Sequence, residues 1–169
     1  MEELKQIEVY RQNASYARQH GEMAVYQRSN VANVACRNAI EEAIRQNFDS
    51  MRLDVHGAKK VLETFGAPRV LLVLANTVQQ KAWDGRFSME NRKWAQTYEL
   101  PVDEELAGDR RSAYVVQSHP AVLDGFIQQT RRLVQERELR QNKVCLQDKL
   151  HLAKLPAQPK KSRAAAQER

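Results

Sequence analysis

The sequence has no apolar run long enough to cross a bilayer. About 18 residues are needed, and the densest stretch, Val70–Val78, is nine residues long and already contains Asn76 and Thr77. Its start, MEELKQIEVYRQ, is charged and mixed, so it does not read as a secretory signal. There are only two cysteines, Cys36 and Cys145, with no CxxC spacing. That argues against a disulfide framework and for a reducing, cytoplasmic setting. The four histidines, His20, His56, His119 and His151, show neither HxxxH nor HExxH spacing. No acidic pair is spaced for a metal cluster, and no glycine-rich phosphate loop is present. No metal, cofactor or membrane association is expected. Glycine and proline are few, six and five, and helix formers dominate.

The net charge of +6 is unevenly placed. Residues 1–130 carry 16 Lys and Arg against 17 Asp and Glu, whereas residues 131–169 carry 11 against 4. The body is nearly neutral and the basic character belongs to the last helix and the tail. A basic tail is an electrostatic adhesive that makes non-specific contact with nucleic acid.

The chain is organised around residues 70–94, VLLVLANTVQQKAWDGRFSMENRKW. Gly66-Ala67-Pro68 stops one helix and starts another. Leu71, Leu74, Ala75, Val78 and Ala82 then recur at steps of three and four, the stripe of a helix. A core helix is expected from about Pro68 to about Ala82. Asp84-Gly85 marks a turn, flanked by Trp83 and Phe87. In one reading both aromatics pin the turn to the core while Asp84 and Arg86 pair in solvent. In the other, Trp83, Asp84, Arg86 and Phe87 form a recognition loop with Arg86 presented to a partner. Ser88 is placed to cap a short helix through Trp94.

Around this centre, one or two short helices are expected before Gly21. A long helix follows from Glu22 to Phe48, with a stripe of Ala32, Cys36, Ala39, Ile40, Ala43 and Ile44 closed by Phe48. Asp54 is a candidate N-cap for a helix carrying Ala58, Val61, Leu62 and Phe65. The pattern is lost from Thr97 to Ser112, and Ala113–Gln117 leans toward an extended arm or strand. Ser118-His119-Pro120 opens the last helix, striped by Val122, Leu123, Phe126, Ile127, Thr130, Leu133 and Val134. The expectation is an all-α bundle of four or five helices with one short β element near Tyr114. It forms a single domain over residues 1–150, followed by a disordered basic tail over 151–169.

Two residue sets bear on chemistry. Asp84 and His119 could meet across a cleft with Asn76 or Arg86 as an electrostatic partner. This is the weak signal any chain of this size offers, and no catalytic residue is assigned on it. Arg131, Arg132 and Arg137, with Lys160, Lys161 and Arg163 in the tail, are the candidate nucleic-acid contacts. They lie outside any helix-turn-helix, zinc-finger or RNP-type motif.

The stretches SNVANVACRNAIEEAIRQNFD, RVLLVLANTVQQKAWDGRFSMENRKWA and YVVQSHPAVLDGFIQQTR resemble an uncharacterised domain family of Firmicutes conjugative elements and phages. The motifs LANTVQxKxWDGRFS and SHPAVLDGFI carry the resemblance, over roughly residues 10–140. It implies no activity and no catalytic residues. It implies a setting, cargo of mobile DNA, where small proteins often disarm host defence. The expected function is therefore non-enzymatic: binding and inhibition of a host defence protein or ribonucleoprotein complex, as anti-CRISPR and anti-restriction proteins do. A nucleic-acid-binding accessory protein of plasmid or conjugative transfer is the alternative, and an enzyme using Asp84 and His119 the third.

Overall fold

The computed structural model describes residues 3–49, 52–102 and 110–154. These hold six α-helices, α1 Ala14–Gln19, α2 Met23–Asn47, α3 Val55–Phe65, α4 Ala67–Gln80, α5 Met89–Gln96 and α6 Pro120–Ala153. The only sheet among them is a two-stranded antiparallel ribbon, β1 Phe48–Asp49 with β2 Arg52–Leu53. The fold is mainly all-α. No single described helix is long and apolar enough to cross a membrane.

The helix α4 is the core. Val70, Leu72, Val73, Leu74, Ala75 and Val78 are all buried. It follows α3 across Gly66, whose φ of 78° lies where glycine is favoured, and the two helices turn by 117° there. Asp54 caps α3 by accepting from the His56 backbone N–H at 3.0 Å, and the stripe Ala58, Val61, Leu62 and Phe65 is buried. At Gly57, α3 lies close to α2: a Cβ there would meet the Asn47 side chain at 2.8 Å. The stripe of α2 is buried as its small residues suggest, but it includes Ser29 and Asn33. Phe48 does not close it. It is 42% exposed and begins the ribbon.

Those two polar residues are buried because Arg69, 1% exposed, sits between α4 and α2. One Nη donates to the Ser29 carbonyl at 2.9 Å and to Asn33 Oδ1. The other donates to the carbonyls of Ile7 at 2.7 Å and Glu8 at 3.2 Å. The cation is thus met by neutral acceptors, and burial pushes its pKa below the ordinary arginine value.

The segment around Tyr114 is not a strand. Arg110–Tyr114 is a 3-10 turn, and the extended residues after it are held by side chains. Thr77 Oγ1 accepts from the Val116 N–H at 3.0 Å, and Lys81 Nζ donates to the Val116 carbonyl at 2.9 Å. Asn76 Nδ2 donates to the Arg111 carbonyl at 2.8 Å, and Arg37 to the Ala113 carbonyl at 2.9 Å. Glu41 accepts from the Gln117 N–H at 2.8 Å. Backbone groups away from water need partners; Asn76, Thr77 and Lys81 supply them in place of a neighbouring strand, while the Arg37 and Glu41 bonds lie at the surface.

The chain divides into two units, Met1–Val134 and Gln135–Arg169. In the first, α6 buries Leu123, Phe126, Ile127, Thr130 and Val134. In the second, the helix runs on through Ala153, past residue 150, and no described residue is buried. The tail expected to be disordered, with Lys160, Lys161 and Arg163, lies outside the described residues from 155 onward, as does the loop stretch 103–109.

Candidate functional site

The turn after α4 is held by a dense set of hydrogen bonds. The Asp84 N–H donates to the Lys81 carbonyl at 2.9 Å, tightening the end of the helix. Asp84 then folds under the turn and is 4% exposed. Its Oδ1 accepts from the backbone N–H of Arg86 at 3.0 Å and from Arg86 Nε at 2.9 Å. Its Oδ2 accepts from Arg86 Nη2 at 2.7 Å. This fork-on-carboxylate geometry is the strong form of the pair. The side-chain and backbone hydrogen bonds from Arg86 hold the Asp84 carboxyl at about 2. Arg92 Nη2 donates to the Asp84 carbonyl at 3.0 Å from α5. The expectation that Asp84 and Arg86 pair is met, but the pair lies with its acid buried and its base half-exposed, not in solvent.

The two aromatics part company. Phe87 is 2% exposed and packs in the core, whereas Trp83 is 80% exposed. Only Phe87 pins the turn. Trp83 lies in the tight turn between the end of α4 and Asp84 and points outward.

The second wall is built by α5 and α6. Ser88 caps α5 by accepting from the Asn91 N–H at 3.2 Å. Asp124 Oδ1 accepts from the Ser88 N–H at 2.9 Å, from Ser88 Oγ at 3.1 Å and from Asn91 Nδ2 at 2.8 Å. Asp124 is thus a three-way anchor for α5. Arg131 donates to Asn91 Oδ1 at 2.7 Å, lies 3.2 Å from a Glu90 carboxylate oxygen and stacks over the Trp94 ring. Its side chain is 16% exposed. The structure uses Arg131 to clamp α5 to α6. Arg132 is exposed and Arg137 partly exposed, and each interacts within the chain.

His119 and Asp84 are brought near one another, but through Arg86. Arg86 Nη1 lies 3.4 Å from His119 Nε2, and His119 Nδ1 lies 3.3 Å from the Ala121 N–H. A neutral imidazole accepts at one nitrogen only, so the ring satisfies one of these at a time. An Asp–His pair for base catalysis needs the carboxylate on the imidazole N–H. Here the guanidinium takes the carboxylate. Asn76, fully buried, serves the Arg111 carbonyl and stands apart from this cluster. Among the described residues no group of His, Cys, Asp and Glu converges as a metal site.

A cleft of about 640 Å³ opens between α4 and α5. Val78, Ala82 and Tyr98 supply apolar lining, and Met89, Arg92 and Lys93 line it from α5. Met89 is 64% exposed. Ala82 and Met89, which line it, lie on either side of the turn along the chain, one just before Trp83 and the other just after Ser88. Sequence reasoning named Trp83 and Arg86 but missed Met89, Arg92 and Lys93. Their signal was available in MENRKW: apolar and basic residues at helical spacing just after a cap.

The pH behaviour of the turn follows from the low Asp84 pKa. A carboxylate with a depressed folded-state pKa stabilises above its unfolded value, near 4, and loses that contribution as pH falls through the folded value. For Asp84 the window is roughly pH 4 down to pH 2. Asp84→Asn is expected to flatten the fall in melting temperature across that window, measured by circular dichroism. An equally steep fall in the variant would contradict the assignment.

Comparison with curated proteins and with solved structures finds no match. A family pattern does match, over residues 9–135, covering α1 to α6 as far as Gln135 and so the whole of the turn, the cleft and their supports. The chain belongs to this family, described as a protein of unknown function, DUF3849.

Proposed function

We propose that the chain is a non-catalytic binding protein that engages a partner through Trp83, the half-exposed Arg86 and the Met89–Lys93 edge of the cleft. One observation carries this reading: Trp83 is 80% exposed on a turn whose other groups are tied down. A large aromatic on a rigid support loses little freedom on binding and removes much apolar area from water. Trp and Arg are also the residue types that most often anchor protein interfaces. The Asp84–Arg86–His119 cluster supports the same reading, because its acid is already fully engaged.

The partner we propose is a host nucleic-acid-targeting defence complex, of the kind that anti-CRISPR and anti-restriction proteins inhibit. The support is the resemblance of the LANTVQxKxWDGRFS and SHPAVLDGFI stretches to domains of mobile elements. A plasmid- or phage-interference assay against a set of CRISPR and restriction systems tests it, with protection expected in at least one. The second reading, a nucleic-acid-binding accessory protein, rests on the basic surplus after residue 130. Recovery of the chain from host extract separates the two: a stoichiometric protein partner favours the first, nuclease-sensitive recovery the second.

Within the first reading, Trp83→Ala is expected to weaken binding about thirtyfold or more, the effect of truncating an interface anchor at about 2 kcal/mol. The melting temperature should not change, because the side chain is largely in solvent. Unchanged inhibition by this variant would move the interface elsewhere. Arg86→Ala is the poorer test, since it strips the buried Asp84 of its partner.

A further inference from the structure

Among the described residues of the second unit, an apolar seam lies uncovered. Leu139, Leu146 and Leu150 are each 60% exposed. With Glu136, Lys143 and Ala153 they occupy the positions 136, 139, 143, 146, 150 and 153. Those steps alternate three and four, the a/d spacing of a coiled coil. The segment continues from the packed first half of α6, and three exposed leucines on one stripe give it an apolar face open to a partner. The family match stops at residue 135, so the seam belongs to the part of this chain outside the shared domain.

We infer that the cover is a second copy of the same helix, packed antiparallel. The charges in the seam select both the partner and its direction. A parallel pair stacks Glu136 on Glu136 and Lys143 on Lys143, like charges facing in the seam. An antiparallel pair centred between residues 144 and 145 removes both conflicts. It sets Leu139 on Leu150 of the second copy and Leu146 beside the Lys143 stem, whose ammonium reaches solvent. It also brings Glu136 beside Lys154 of the second copy, twice by symmetry. A two-fold contact of this kind is self-complementary. It is independent of the Trp83 surface and stands or falls separately from the proposed function.

Sedimentation equilibrium on the full chain tests it. The interface is short, well under about 1,200 Å², so association belongs in the weak range. The mass should rise from 19.5 kDa toward twice that between roughly 10 µM and 1 mM. Leu146→Glu should hold the mass at one chain with an unchanged melting temperature. Glu136→Lys and Lys154→Glu should each weaken association at least tenfold, and an equimolar mixture of the two variants should restore it. A mass of one chain at the highest concentration overturns the inference. So does stronger association of Lys154→Glu alone: in a parallel pair Lys154 lies beside Lys149 of the second copy, and reversing its charge would help.

Discussion

Leu74→Ala is expected to destabilise the protein by about 2–5 kcal/mol, and Leu74→Asp to prevent folding. Leu74 is fully buried in the middle of α4, with Val70, Val73 and Val78 on the same helix equally enclosed. Truncation removes transfer energy and leaves a cavity that rigid helix neighbours cannot fill. An aspartate there has no cation to meet it: Arg69, the buried base of the same helix, already has its Nη donors committed to Ser29, Asn33, Ile7 and Glu8. Burying an unpaired carboxylate costs several kcal/mol, comparable to the whole stability of a domain this size. Urea denaturation followed by circular dichroism gives both answers. A soluble Leu74→Asp protein with an unchanged midpoint would show that α4 is not the core.

Arg69→Met is expected to cost about 2–4 kcal/mol, on the scale of buried acceptors left unmet. Two terms oppose each other. Removing a buried cation without a carboxylate relieves a desolvation penalty. Against that, the buried Ser29 carbonyl and Asn33 side chain lose this donor, as do the part-buried carbonyls of Ile7 and Glu8. Each unmet buried acceptor costs about 1–3 kcal/mol, so the second term wins unless the chain moves. The segment that can move is residues 7–8, which Arg69 ties to α2. The loss should therefore appear partly as faster amide exchange across residues 6–10, read by hydrogen exchange. Unchanged exchange there, with unchanged stability, would mean the guanidinium contributes nothing net.

The sequence was most legible where the signal was local or periodic. The caps Asp54 and Ser88 and the opening of α6 at Pro120 all lie where their residue types require. The stripes of α3 and α6 follow from helical spacing; α4 ends at Gln80 and is buried more widely, at Val70, Leu72 and Val73 as well as Leu74, while Leu71 is only partly buried and Ala82 is exposed. What could not be read was direction and long-range pairing. Trp83 and Phe87 look alike in sequence, four residues apart around a turn. Which one enters the core depends on how the Asp84–Lys81 bond closes the end of α4. Arg131 reads as a solvated base until α5 brings Asn91, Glu90 and Trp94 to it. The β propensity of AYVVQ left an extended arm or a strand open; Ala113 and Tyr114 close a 3-10 turn, and side chains of α2 and of the end of α4 hold the backbone that follows. Asn76, Thr77 and Lys81, within LANTVQxK, serve that purpose, so this part of the motif builds the scaffold.

The central claim is that the Trp83 turn binds and does not catalyse. It is tested most directly by titrating the protein against a fixed amount of a defence complex that it protects against, with the target in large excess at the low end. Binding predicts inhibition that rises linearly and saturates near one protein per target. His119→Ala should retain it, and Trp83→Ala should lose it at the same concentrations. Inactivation of many targets per protein molecule, abolished by His119→Ala or Asp84→Asn and indifferent to Trp83→Ala, would contradict the account.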